Sequence, residues 1–270
     1  MSLIVGIRFQ RGGKTYHFDA STCPDIQTDD FVIVETSRGM QLGQVVSFLG
    51  DGESSGDRNW KSILRKATPR DLVLRQTWEE KEQEALDFSQ ELVHKYQLDE
   101  VKFVSSEFSL EGENLTYLYC YEGKGDPDLR KLTGDLKREY SDTNVELKRI
   151  GPRDAAKIIG GLGVCGKGVR CCTEFMTDFS PISIRMAKQQ GVSLAPSEIT
   201  GMCGRLRCCL KYEHDFYVNA KKDLPKRGKN VITPQGEGKV VRLNTLKQLV
   251  FVDLGQAGVQ EFSSEDVERK

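Results

Sequence analysis

"EVKFVSSEFSLEGENLTYLYCYEG", residues 100–123, decides the reading of the fold. "EVKFVSSEFS" and "NLTYLYCYEG" each alternate with a period of two residues, the signature of half-buried strands. Leu110 to Glu113 between them reads as a short turn. Upstream, Leu72, Trp78, Leu86, Leu92 and Val93 fall among charged residues at helical spacing, so the sequence predicts a helix from Pro69 to about Tyr96. Before it, "SILRKAT" is a candidate strand. Downstream, Leu129, Leu132, Leu136 and Tyr140 mark a second helix, and "NVELKRI" a closing strand. The order is β-α-β-β-α-β over residues 61–150, a ferredoxin-like arrangement in an α+β protein. That arrangement hosts many functions and selects none.

Outside this central domain the pattern changes. Residues 1–60 read as a small β module. "LIVGIRF" and "TYHFDA" are separated by the turn Arg11-Gly12-Gly13-Lys14, and "DFVIVETSRGMQLGQVVSFLG" is a hairpin turning at Arg38-Gly39. Asp51 to Asp57, "DGESSGD", reads as a linker. Residues 225–270 return to short strands around Thr233-Pro234-Gln235-Gly236. The two end modules are expected to pair in space. Residues 151–224 are rich in glycine and cysteine. Pro181 to Gly191 reads there as a short helix, and Ser197 to Ala220 as a longer one.

The chain has 270 residues, enough for two or three domains, and a formal net charge of −1. It does not read as a nucleic-acid binder by overall charge. The N-terminal "MSLIVGIRFQRGGKTYHF" has no signal-peptide core, and no stretch has the apolar length of a membrane span. The expected compartment is the cytoplasm, where disulfides are disfavoured. Eight cysteines in such a chain point to metal or redox chemistry. Cys23 and Cys120 stand alone and read as buried, structural thiols.

The other six form two cassettes. Cys165, Cys171 and Cys172 are spaced C-x5-C-C, and Cys203, Cys208 and Cys209 are spaced C-x4-C-C. Neither has the C-x2-C spacing of zinc knuckles. Iron–sulfur clusters accept more varied spacings, because each thiolate binds a different corner of a larger object. Adjacent cysteines project in different directions, so each pair is expected to send one thiol to an internal site and the other elsewhere. Lys167, Arg170, Arg205 and Arg207 lie inside the cassettes, where they offset negative charge and favour the thiolate form. The bland alternative is a solvated basic face.

Competing motifs are weaker. Gly161, Gly163 and Gly166 satisfy G-x-G-x-x-G, and Gly161, Gly166 and Lys167 most of a phosphate-binding loop. Gly168 stands where that loop needs Ser or Thr, and the helical "RDAAKIIG" precedes both patterns where a strand is required. Of the three histidines (His17, His94 and His214), only His214 is near a cassette in sequence, and a Cys–His pair leaves five thiols unexplained. Residues 151–230 carry more Lys and Arg than Asp and Glu, and "AKKDLPKRGKN" adds a basic cluster suited to RNA phosphates or an acidic protein.

"GGLGVCGKGVRCCTEFMTDFSPISIRMAKQQGVSLAPSEITGMCGRLRCCLKYE", residues 160–213, resembles the bacterial YaaT/RicT family, whose members carry the polymerase-suppressor-protein C-terminal domain. The likeness extends to "VGIRFQRGGKTYHFDA" and "DFVIVETSRGMQLGQVV". It implies a non-enzymatic regulatory subunit that binds an iron–sulfur cluster of the 4Fe-4S type. It implies YlbF/RicF-like and YmcA/RicA-like partners, and work with RNase Y in mRNA processing that affects biofilm formation, competence and sporulation. The ligand role then falls on Cys165, Cys171, Cys172, Cys203, Cys208 and Cys209. The alternatives are a zinc-stabilised nucleic-acid-binding protein and a thiol-redox sensor.

Overall fold

The structure, a computed structural model, describes residues 3–9, 13–49, 60–176 and 180–269. Part of the first expected turn, Arg11-Gly12, and the Asp51–Asp57 linker lie outside the described residues. The chain forms two compact units. The first comprises Met1–Phe179 with Met202–Arg205, the second Ser180–Gly201 with Leu206–Lys270.

The first unit begins with an antiparallel sheet of β1 (Ile4–Arg8), β2 (Tyr16–Asp19), β3 (Phe31–Thr36), β4 (Gly39–Phe48) and β5 (Ile63–Lys66). Their order across the sheet is β2-β1-β4-β3-β5. Val5, Ile7, Phe18, Val32, Val34, Val45 and Ile63 form its core. Gly39 takes φ +90° at the β3–β4 turn, a conformation glycine adopts without steric cost. That hairpin tip meets the central domain: Leu110 donates its N–H to Met40 O at 2.8 Å, and Arg38 pairs with Glu107 at 2.9 Å.

α1 (Pro69–Lys95) starts at a capping box. Thr68 accepts from the Asp71 N–H while Asp71 accepts from the Thr68 N–H, with Pro69 in the first turn. Arg65 clamps the Asp71 carboxylate at 2.6 and 2.9 Å. β6 (Val101–Phe108) and β7 (Asn114–Tyr121) are antiparallel. α2 (Arg130–Glu139) crosses over to β8 (Asn144–Arg149), which pairs parallel with β7. The core of Ala85, Leu92, Leu115, Tyr117, Leu132, Leu136 and Val145 lies between these helices and the sheet. Trp78 stacks on Phe108 at 4.9 Å and donates its indole N–H to Leu110 O.

The element order is the one the sequence predicts, in an α+β architecture, but the sheet membership corrects the ferredoxin-like reading. β5 pairs with β3 of the N-terminal sheet, through Val32↔Lys66, Ile33↔Arg65 and Val34↔Ile63. The central sheet therefore has three strands, β6-β7-β8. The first strand of a ferredoxin-like sheet lies inside that sheet and needs an apolar run. β5 buries only Ile63 and exposes Leu64, Arg65 and Lys66, a composition suited to an edge. β7 and β8 pair directly and leave no gap for it.

After β8, α3 (Pro152–Ile159) runs to Gly160, and α4 (Cys171–Glu174) carries the adjacent cysteines of the first cassette. The second unit holds α5 (Ile184–Gln190), α6 (Pro196–Ile199), α7 (Cys209–Tyr212) and α8 (His214–Ala220), with Ala187, Ile199 and Leu210 at their core. The expected helix from Ser197 to Ala220 is interrupted. Thr200 and Leu206 pair across the break, Arg207 N–H returns to Ile199 O, and Gly204 is left-handed at φ +71°. The unit ends in a sheet of β9 (Asn230–Thr233), β10 (Gly236–Asn244), β11 (Leu249–Asp253), β12 (Val259–Ser263) and β13 (Glu268–Arg269), ordered β12-β11-β10-β9-β13. Among the described residues each end module forms a sheet of its own. β13 returns to β9 and closes the core of Val231, Val240, Val250, Val252 and Phe262 locally. Among the described residues no helix is long and apolar enough to cross a membrane.

Candidate metal centre

The first cassette is a glycine-rich loop between α3 and α4. Gly163 N–H donates to Lys167 O and Gly166 N–H to Gly163 O, which closes a tight turn around Cys165. Gly166 is left-handed at φ +80°. Cys165 is exposed, Cys171 half-buried and Cys172 buried. The two adjacent cysteines thus differ in burial.

The basic residues of this loop are engaged. Arg170 donates from Nε to Leu162 O at 3.1 Å and from a terminal nitrogen to Ala156 O at 2.6 Å. Ala156 lies in the C-terminal half of α3, so Arg170 ties the loop back to the helix that leads into it. Lys167 donates to Glu174 at 2.6 Å. Glu174 foremost, then the Cys171 and Cys165 sulfurs, hold the Lys167 ammonium above the usual lysine range. The Lys167 side chain is thus committed to the Glu174 carboxylate.

The second cassette has the same parts. Gly204, left-handed, follows Cys203, and Arg207 precedes Cys208-Cys209. Arg207 donates from Nε to Thr200 O at 3.2 Å and from a terminal nitrogen to Ser197 O at 2.6 Å. Cys203, Cys208 and Cys209 are half-buried. Arg170 and Arg207 were expected to offset cluster charge. Each keeps its charge and in addition donates to two backbone carbonyls, which braces its cassette.

Cys203 lines a cleft of about 1230 Å³ within the first unit, walled by α1, β6, β7, α3 and the 202–205 segment. Cys120, His94, Arg149 and Arg205 also line it. Sequence reasoning missed this grouping, because residues 94, 120 and 203 are far apart in the chain. Cys120 is 9% exposed and its thiol faces Ile150 O at 3.4 Å. Burial foremost, with Asp154 and Glu122, pushes that thiol up, while Arg149 and Arg205 pull the other way. It is a protonated structural thiol, as read from sequence, yet it borders the same space as Cys203. Cys23, read as buried, is half-buried and packs against the edge of the N-terminal core. His17 stands edge-on to Trp60, and His214 opens α8 with its Nδ1 buried and without a hydrogen-bond partner among the described residues.

No cysteine is in a disulfide. Among the described residues, no three Cys, His, Asp or Glu side chains stand together so as to share a metal ion. The donor set fits a thiolate-bound group in kind, since soft sulfur ligands select iron–sulfur clusters and zinc. A closed cage is not preformed among those residues.

Over 255 residues the chain is 39% identical to the stage 0 sporulation protein YaaT of Bacillus subtilis (strain 168), covering 93% of this chain and 90% of that protein. The chain belongs to the YaaT/PSP1 family. Residues 61–150 match the PSP1 C-terminal conserved region, which here runs from β5 to the end of β8. Residues 181–224 match the third domain of PSP1-like proteins, which carries α5 to α8 and the second cassette. No solved structure matches the chain. In this YaaT/PSP1 chain the first cassette lies between the two matched regions, so the doubled cysteine unit extends beyond either of them.

Proposed function

We propose that this protein is a non-enzymatic regulatory subunit that binds an iron–sulfur cluster through its two cysteine cassettes. The observation that carries the reading is the repetition, in three dimensions, of one thiol-bearing unit: cysteine, left-handed glycine, braced arginine, adjacent cysteines. Six thiols outside any disulfide, carried on glycine-rich loops, suit thiolate ligation. When bound, the cluster supplies a redox- and oxygen-sensitive crosslink of the ligand loops. The chain's own residues present the thiols and hold the loops to their leading helices.

The relative is named for stage 0 of sporulation, and a sporulation-related regulatory role is the corresponding proposal here. In this reading the protein acts in the cytoplasm with YlbF/RicF-like and YmcA/RicA-like partners as an adaptor for RNase Y-dependent mRNA processing. The absence of a preformed cage supports a site that closes only around its inorganic core or with a partner's ligand. Anaerobic purification tests the cluster: a brown protein with broad visible absorption is expected. The colour should vanish when all six cassette cysteines are replaced by serine. A colourless protein holding stoichiometric zinc would replace the cluster by a structural zinc site.

A further inference from the structure

The likeness of the cassettes extends beyond the cysteines. Each unit opens on a helix with proline in its first turn, Pro152 in α3 and Pro196 in α6. Each helix ends just before a glycine-containing turn, and a cysteine with a left-handed glycine behind it follows: Cys165-Gly166 in one unit, Cys203-Gly204 in the other. Each then reaches an arginine whose Nε bonds one carbonyl of the preceding turn, and whose terminal nitrogen bonds a carbonyl of the leading helix. In both, the arginine's own carbonyl accepts from the residue three positions on, Thr173 or Leu210, and so starts the helical turn that carries the adjacent cysteines.

We propose that Arg170 and Arg207 are positioning residues, which set the directions in which the paired thiols leave the backbone. This deepens the iron–sulfur reading and rests on it for its purpose, though not for its test. A guanidinium is planar and rigid, so two donors on two carbonyls fix the loop in translation and rotation together. Lysine offers a point charge with freely turning donors and cannot hold both carbonyls in that geometry. The arginine precedes the pair directly, so any rotation it prevents is a rotation of the Cα–Cβ bonds of the pair. In the first unit the outcome is visible: Cys172 is 6% exposed and packs inward, while Cys171 remains reachable from solvent. Cys165 and Cys171 are then the presented thiols of that unit, and Cys172 is part of its packing. By the match of the two units, Cys203 and Cys208 correspond to Cys165 and Cys171, and Cys209 to Cys172. Cys208 and Cys209 are both half-buried, so the inward packing seen at Cys172 is not repeated at Cys209.

The test uses the full chain, reduced and metal-free, with iodoacetamide as the probe and mass spectrometry to follow each cysteine. In the unsubstituted protein, Cys165 and Cys171 should react at least tenfold faster than Cys172. Arg170→Gln should bring Cys172 to within about threefold of Cys171 and leave Cys23 unchanged. Arg170→Lys should give an increase close to that of glutamine. Arg207→Gln should change the ratio of Cys208 to Cys209 reactivity and leave Cys172 protected, which separates loop rotation from loss of the fold. Unchanged protection of Cys172 in Arg170→Gln, or full rescue by lysine, would overturn the proposal. Because this readout needs no cluster, a protein that never binds iron but shows the expected pattern would refute the functional reading and leave the positioning role standing.

Discussion

Replacing Gly166 by alanine isolates how much the cassette backbone depends on glycine. Its φ is +80°, and a Cβ added there meets no heavy atom within 4 Å. Packing therefore contributes nothing to the cost, which is that of holding an L-residue in the left-handed region, about 1–2 kcal/mol. Alanine also restricts the unfolded chain, which returns about 0.4–1 kcal/mol. The net expectation is a loss of about 1 kcal/mol. Gly204→Ala should behave alike, at φ +71° with the same open surroundings. Gly168 supplies the control: its φ lies outside the left-handed region and its added Cβ also meets nothing, so Gly168→Ala should be neutral or slightly stabilising. Gly39→Ala should cost more, because a Cβ there stands 3.0 Å from Asn114 Nδ2 and 3.3 Å from Ser109 Cβ at φ +90°. Urea unfolding of the reduced, metal-free chain at constant m reads these differences as midpoint shifts. Equal midpoints for Gly166→Ala and Gly168→Ala would refute the reasoning.

Two other predictions concern single groups. Arg65, foremost, and Thr68 hold the Asp71 carboxyl well below the usual carboxylate range, so its contribution is complete above about pH 5 and fades as pH falls through 4. Asp71→Asn should cost roughly 1–2 kcal/mol at pH 7, since Arg65 stays half-exposed when unpaired, and the gap to the unsubstituted protein should narrow below pH 4; a gap independent of pH would contradict the assignment. Cys203→Ser should lower cluster content more than Cys120→Ser, where serine keeps a donor toward Ile150 O. Equal losses would mean that Cys120, which borders the same cleft, is not a bystander.

The alternating strands around residues 100–123 and the helix capped at Thr68 were legible because each rests on local periodicity and capping chemistry. β5 was legible as a strand but not as a member of its sheet. Partner choice depended on Ile63 finding the N-terminal core, a contact between segments that no local pattern records. The expected helix breaks after Ile199 at Gly201 and Gly204, residues that favour turns over helix interiors. The doubled cysteine pattern of the cassettes was legible from spacing alone. The roles of their arginines were not, because a basic residue beside cysteines reads as a counter-charge until its donors are seen on Ala156, Leu162, Ser197 and Thr200 carbonyls. The cleft shared by His94, Cys120 and Cys203 needed the fold itself.

The central claim is that the two cassettes hold an iron–sulfur cluster, and the most direct measurement is the ratio of iron to acid-labile sulfide to protein in an anaerobic preparation. Iron and sulfide in equal amounts, both lost when the six cassette cysteines are replaced by serine and both retained when Cys23 is replaced, is the predicted result. Iron without sulfide, zinc alone, or iron and sulfide that persist in the six-serine protein would contradict the account.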